Sequence, residues 1–235
     1  MNASEINVLV GCEESQAVTI EFDNLGFKAH SCDLQDCSGG RPLIHIKDDI
    51  FHVLHRMPYV FGLHLFIGHP VCKYLANSGV RWLASRKPKP GFEWSDKYQI
   101  YINADRWEKM VDAAIFFRSL LHTNADYVAI ENPIIHKYAL EIIGEKPTQI
   151  IQPWQYGHGE TKATCLWLRS LPKLIPTDIV AGREQRIWKI GPDKPGQEGA
   201  RAKARSKTFP GIAKAMASQW GNYLLEQYSK QKSAC

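Results

Sequence analysis

The chain has no apolar run long enough to span a membrane. Its first residues, MNASEINVLVGCEES, hold no basic region followed by a long apolar stretch. No secretory signal is read there, and a cytoplasmic location is expected. There is no internal repeat and no low-complexity tract, which excludes fibrous chains and coiled coils. Six cysteines, at 12, 32, 37, 72, 165 and 235, lack metal-ligand spacing. Reduced thiols are expected rather than disulfides, and no metal site is expected. Charged residues are only 23% against 44% hydrophobic, so a disordered chain is excluded as well.

What remains is enough chain, 235 residues, for one sizeable α/β domain spanning 1–235, assumed to act as a monomer. The net charge is +5 and is unevenly placed. Residues 181–207 hold eight basic side chains against three acidic ones, which is the whole excess. A neutral body with one basic segment fits a polyanion partner. It equally fits a solvated loop, and charge alone does not choose.

Residues 6–11, INVLVG, read as a short buried strand. Residues 14–25 place Ala17, Val18, Phe22 and Leu25 on one helical face, stopped by Gly26. Residues 27–33 give a second strand ending at Asp33, and 43–46 a weak third, closed by Asp48 and Asp49. Residues 63–68 and 126–131 read as buried strands, with a helix over 105–122 between them. Residues 84–104 show no period and read as irregular. Strands at 148–152 and 163–168 and a helix over 211–229 complete the chain. The alternation predicts a doubly wound, Rossmann-like α/β fold with a central, mostly parallel sheet. Ligands of such a sheet bind outside the carboxyl ends of the strands. The candidate site is therefore Gly11 to Glu14, Asp33, Asp49, Pro70 to Cys72 and Glu131 to Pro133.

Two residues there suit chemistry. Cys72, in GHPVCKY, follows a buried strand where a helix could begin, and a helix N-terminus favours the thiolate. A free cysteine is also often a small buried hydrophobe. Glu131 follows YVAI, so its strand delivers a carboxyl to the same edge, able to hold or share a proton. The alternative for Glu131 is an acid at the start of a short helix opened by Asn132-Pro133.

Together the stretches VLVGCEESQAVTIEF, CDLQ, KDDI, GHPVCKYLANSG, VAIENP, IQPWQYGHGETKATCLWL and TFPGIAKAMASQWG run in one order from residue 7 to about residue 222. In them the chain resembles the cytosine-5 DNA methyltransferase family, in particular its small phage-type members. The resemblance implies a methyltransferase fold and transfer of a methyl group from S-adenosyl-L-methionine to carbon 5 of cytosine in DNA. It implies Cys72 as the nucleophile that attacks carbon 6, and Glu131 as the group that holds the ring nitrogen and amine edge. The base would first be flipped out of its stack.

By the same resemblance Gly11, Glu13, Asp33, Asp49, Ile50 and Pro70 hold the cofactor, with Asp33 on the ribose diol and Asp49-Ile50 at the adenine. The family's first loop is glycine-rich, whereas Gly11-Cys12-Glu13-Glu14-Ser15 carries one glycine. In YGHGETKAT, Glu160, Lys162 and Thr164 stand where the family has Gln, Arg and Arg. Lys162 keeps a positive charge for the base carbonyl or a phosphate and is taken as catalytic. Asn77, Ser78 and Arg81 in the loop after the nucleophile, and Arg201, Lys203 and Arg205 in the basic segment, are expected to meet nucleic acid. Residues 169–207 would form a minimal target-recognition segment. Methylation of cytosine in RNA, and a non-catalytic nucleic-acid- or nucleotide-binding module on this fold, are the alternatives.

Overall fold

Apolar runs too short for helices become buried strands, and the amphipathic runs between them cover both faces. The computed structural model describes residues 2–60, 62–191, 199 and 204–233. The sheet strands are β1 (Asn7–Gly11), β2 (Lys28–Asp33), β3 (His45–Lys47), β4 (Leu65–Gly68), β5 (Tyr127–Pro133), β6 (Gln149–Ile151) and β7 (Thr164–Arg169). Their order is β3-β2-β1-β4-β5-β7-β6. The first five pair in parallel, and β7 runs antiparallel to both neighbours. β1 is buried along its whole length, as a central parallel strand must be. The chain leaves β1 towards β2 and β3, then crosses back to β4. The switch point, where a crevice opens at the strand carboxyl ends, therefore lies between β1 and β4.

The helices that cover the sheet are α1 (Ala17–Asn24), α2 (Ile50–Val60), α3 (Ala104–Leu121), α4 (Lys137–Ile143) and a later helix, α5, over residues 210–233. On one face, Leu9, Phe66, Val128 and Trp167 pack with Val53 of α2, Phe117 of α3 and Tyr138 of α4. On the other, Val8, Val10, Leu65 and Ile67 pack with Val18 and Phe22 of α1 and with Ile212, Met216 and Trp220 of α5. This is the doubly wound α/β arrangement that the alternation predicts. Met216–Trp220 form a π turn inside α5, and Met216, Ala217 and Trp220 are all buried.

Two local expectations need correction, and one alternative falls. Residues 84–104 are not irregular: Ala84–Ser85, Glu93–Ser95 and Ile100–Ile102 form a small antiparallel sheet. Its strands are two or three residues long and lie at the surface, so no period could show. The chain after Glu131 does not open a helix, because β5 continues to Pro133 by pairing with β7. Nor does a helix begin at Cys72: the Leu75 and Ala76 N–H groups return to the Cys72 carbonyl in a turn, and a 3-10 helix starts only at Asn77.

Candidate active site

β4 and β5 run in parallel with Gly68 opposite Ile130. The next residues, His69 and Glu131, therefore stand level at the sheet edge. His69 Nδ1 lies 3.1 Å from Glu131 Oε2, and the two side chains are only 10% and 13% exposed. Burial works against both charges, but the hydrogen bond and the mutual attraction outweigh it. His69 is held above its ordinary pKa and Glu131 below its own.

The loop carrying Cys72 is fastened to the same edge. The Asn132 side-chain amide donates to the Pro70 carbonyl at 2.9 Å, and the Asn77 N–H donates to the Ile134 carbonyl at 2.7 Å. Cys72 is half-buried. Burial and the Glu131 charge push its thiol up, while Lys162 and Arg205 pull it down. The balance is upward, so the resting side chain is a thiol. This reverses the expectation of a helix-activated thiolate, for the reason already visible in the turn at Cys72–Ala76.

Lys162 precedes β7, and its N–H donates to the Gln152 side chain at 3.0 Å. Its charge reaches Cys72, Glu131 and His69. The YGHGETKAT and TFPG stretches meet here as well. The Gly211 N–H donates to His158 Nε2 at 3.0 Å, and a Cβ on Gly211 would lie 1.8 Å from the Tyr156 carbonyl oxygen. Only glycine lets α5 start so close to that loop.

The carboxyl ends of β1, β2 and β3 form a second cluster. Cys12 takes a left-handed backbone, φ 60°, without being glycine. Burial, with the charges of Asp33 and Asp49 nearby, pushes its thiol up to about 12. Asp33 Oδ1 accepts from the Gln35 N–H at 2.9 Å, and Asp49 Oδ1 from the Phe51 N–H at 2.8 Å. Each acid keeps a second oxygen with no partner among the described residues. Asp48 is instead spent on His52 and Arg56.

Three cofactor candidates have other work. Both oxygens of Glu13 are used at the start of α1, on the Val18 N–H (2.7 Å), the Thr19 N–H (3.2 Å) and the Thr19 hydroxyl (2.7 Å). Ile50 is a core residue against Gly11, where a Cβ would meet Ile50 Cδ1 at 2.7 Å and Phe66 Cε2 at 2.9 Å. Pro70 is buried and offers its carbonyl to Asn132.

Asn77, Ser78 and Arg81 lie exposed on the 3-10 helix after the Cys72 loop, with the Arg81 guanidinium 5.1 Å from the Trp82 ring centre. Arg205 is half-buried and within electrostatic reach of Cys72. Arg201 and Lys203 lie outside the described residues. Among the described residues no group of His, Cys, Asp and Glu could hold a metal ion, and no helix is long and apolar enough to cross a membrane. The sequence reading overlooked His69. Its signal was positional: one residue past β4, level with the acid one residue past the paired end of β5.

No protein-family model matches the sequence, and no curated protein matches it. Among solved structures, the chain has a likeness to one from E. coli described as a "putative DNA modification methyltransferase encoded within prophage". The identity is 12% and the TM-score 0.42, over 75% of this chain. The match spans 53% of the other chain, about half its length.

Proposed function

We propose that the protein is an S-adenosyl-L-methionine-dependent methyltransferase that acts on carbon 5 of cytosine in DNA, through base flipping and a covalent adduct to Cys72. The observation that carries this reading is the meeting of the Cys72 loop with Glu131 and Lys162 at one sheet edge.

Carbon 5 of cytosine is a poor nucleophile. Attack by the Cys72 sulfur forms an S–C6 bond and moves the C5=C6 electron pair to C4=C5. The former C4=N3 pair takes a proton at N3, held there by Glu131. Carbon 5 is then enamine-like. Bound S-adenosyl-L-methionine supplies an electrophilic methyl group. Loss of the carbon 5 proton to water restores the C5=C6 bond and expels Cys72 as thiolate. The Lys162 and Arg205 charges favour the thiolate that starts the sequence.

The free oxygens of Asp33 and Asp49 suit a ribose diol and an adenine amino group, so the donor set fits the cofactor. Cys12, in its left-handed conformation, turns the backbone where the family uses glycine. Gly11, Ile50 and Pro70 support this cradle through packing, and Glu13 through the cap on α1. Asn77, Ser78, Arg81 and Arg205 are proposed phosphate or base contacts, and residues 169–207 the target-recognition segment of a single domain.

A second reading is a non-catalytic nucleic-acid-binding module, favoured by the glycine-poor loop and by a Glu13 spent on α1. Incubation with 5-fluorocytosine DNA and S-adenosyl-L-methionine separates the two. An enzyme leaves a stable protein–DNA adduct that disappears in Cys72→Ala, whereas a binder leaves none.

A further inference from the structure

We propose that His69 is the proton reservoir of Glu131: the buried pair keeps one proton, and that proton is the one lent to the cytosine ring. The proposal rests on the cytosine reading above and adds to it a residue that the motifs leave without a role.

The imidazole is approached from three elements. β5 presents Glu131, with Oε2 at 3.1 Å from Nδ1. The turn after β1 presents Glu13, and the stretch before β7 presents Lys162; both act on the ring through their charge. The loop that continues from His69 carries Cys72, which feels Glu131, Lys162 and Arg205. At its root His69 is pinned, its N–H donating to the Gly11 carbonyl at 3.0 Å and the following Pro70 held by Asn132. Its Nε2 is buried with no hydrogen-bond partner among the described residues. A histidine kept for structure ordinarily spends both nitrogens. This one spends only the nitrogen that faces the catalytic carboxylate.

The proton count closes: Cys72 releases its thiol proton to solvent before it attacks and the carbon 5 proton leaves to water at the end, so neither draws on the pair. At rest the pair is imidazolium and carboxylate. As the Cys72 sulfur adds to carbon 6, the Nδ1–H bond breaks and an O–H bond forms on Glu131. That O–H turns towards the base, breaks, and leaves its proton on N3. His69 is then neutral. When Cys72 is expelled, the proton returns from N3 through Glu131 to Nδ1.

The rate of adduct formation reports the pair directly. Cys72 stands above the ordinary thiol range, so the rate climbs with pH as thiolate accumulates. It levels where the pair begins to lose its proton, because one factor then rises as the other falls. In the wild type that pH lies above the ordinary histidine value of 6.5. His69→Asn places an amide N–H near the position of Nδ1–H but cannot store a proton. Its profile is expected to level at lower pH, with a plateau about tenfold lower for each pH unit of displacement.

The experiment is adduct formation on 5-fluorocytosine DNA across pH, for wild type and His69→Asn, beside an NMR titration of the His69 imidazole in the wild type. A His69 midpoint at the pH where the wild-type rate levels supports the proposal, even if His69→Asn fails to fold. A midpoint elsewhere, or a His69→Asn profile that levels at the wild-type pH, overturns it and leaves the cytosine reading standing. No wild-type adduct at any pH overturns both.

Discussion

The Asn132 side-chain amide donates to the carbonyl of Pro70, and this one buried bond of 2.9 Å couples the strand that carries Glu131 to the loop that carries Cys72. Parallel pairing ends at Gly68 and Ile130, and beyond that point side chains and loop backbone take over: His69 with Glu131, Asn132 with Pro70, and the Asn77 N–H with the Ile134 carbonyl. Among these the asparagine is the bond that reaches the residue two before Cys72.

Removing that bond should loosen the site before it loosens the fold. Asn132→Ala is expected to cost about 1–3 kcal/mol of stability, because the Pro70 carbonyl loses its buried donor. Adduct formation should fall while S-adenosyl-L-methionine affinity holds. Chemical denaturation beside a trapping assay checks this; equal adduct rates in the variant and the wild type would show that the bond does not position Cys72.

The His69–Glu131 pair makes stability depend on pH in both directions. Glu131 is depressed below 4.5, so its contribution is present above that value and lost as pH falls through its folded pKa. His69 is raised above 6.5, so its contribution is present below that value and lost as pH rises through its folded pKa. The pair therefore stabilises most between 4.5 and 6.5. The double change His69→Gln with Glu131→Gln should flatten this part of the profile. Melting temperatures from acid to alkaline pH decide it, and parallel curves for the two proteins would count against the pair.

Asp33 and Glu13 are both cofactor candidates but should fail differently. Asp33→Ala is expected to weaken S-adenosyl-L-methionine binding by roughly 1–3 kcal/mol, the cost of a charge-assisted hydrogen bond, with little change in stability. Glu13→Ala removes three hydrogen bonds from the start of α1 and should lower stability first. Titration calorimetry and thermal melting separate the two, and an Asp33→Ala protein that binds the cofactor at wild-type strength would remove Asp33 from the cradle.

The basic segment carries its own prediction. Replacing Arg201, Lys203 and Arg205 together with Ala should weaken binding to all DNA sequences alike and flatten the salt dependence, because each neutralised phosphate releases counterions. Cofactor affinity should hold. Fluorescence titration at two salt concentrations tests this; an unchanged dissociation constant and slope would make the segment a solvated loop.

The central strands could be read because burial on both faces writes them as short apolar runs, as in VLVG and YVAI. The small sheet over 84–102 could not, since strands of two or three residues leave no alternation to read. α4 escaped for a related reason: its cap is the His136 side chain, which accepts from the Ala139 N–H, and histidine is not among the usual capping residues. Cys72 and Glu131 were legible as strand-end residues. Their electrostatics were not, because the thiol's rise comes from burial and from Glu131, which only the register of β4 and β5 brings within reach. His69 was hidden in the same way, by a neighbour 62 residues away.

The buried face shared by α1 and α5 also sets an order of events. Val18 and Phe22 are covered by Ile212, Met216 and Trp220, so α1 waits for α5. At a ribosomal pace of about 5–20 residues per second, roughly 10–40 s pass between their synthesis. Through that interval a nascent chain carries Val18 and Phe22, with Val8 and Val10 of β1, as open apolar surface. The opposite face, built from α2, α3 and α4, can close much earlier. The face that covers α1 is thus sealed only once α5 has been made.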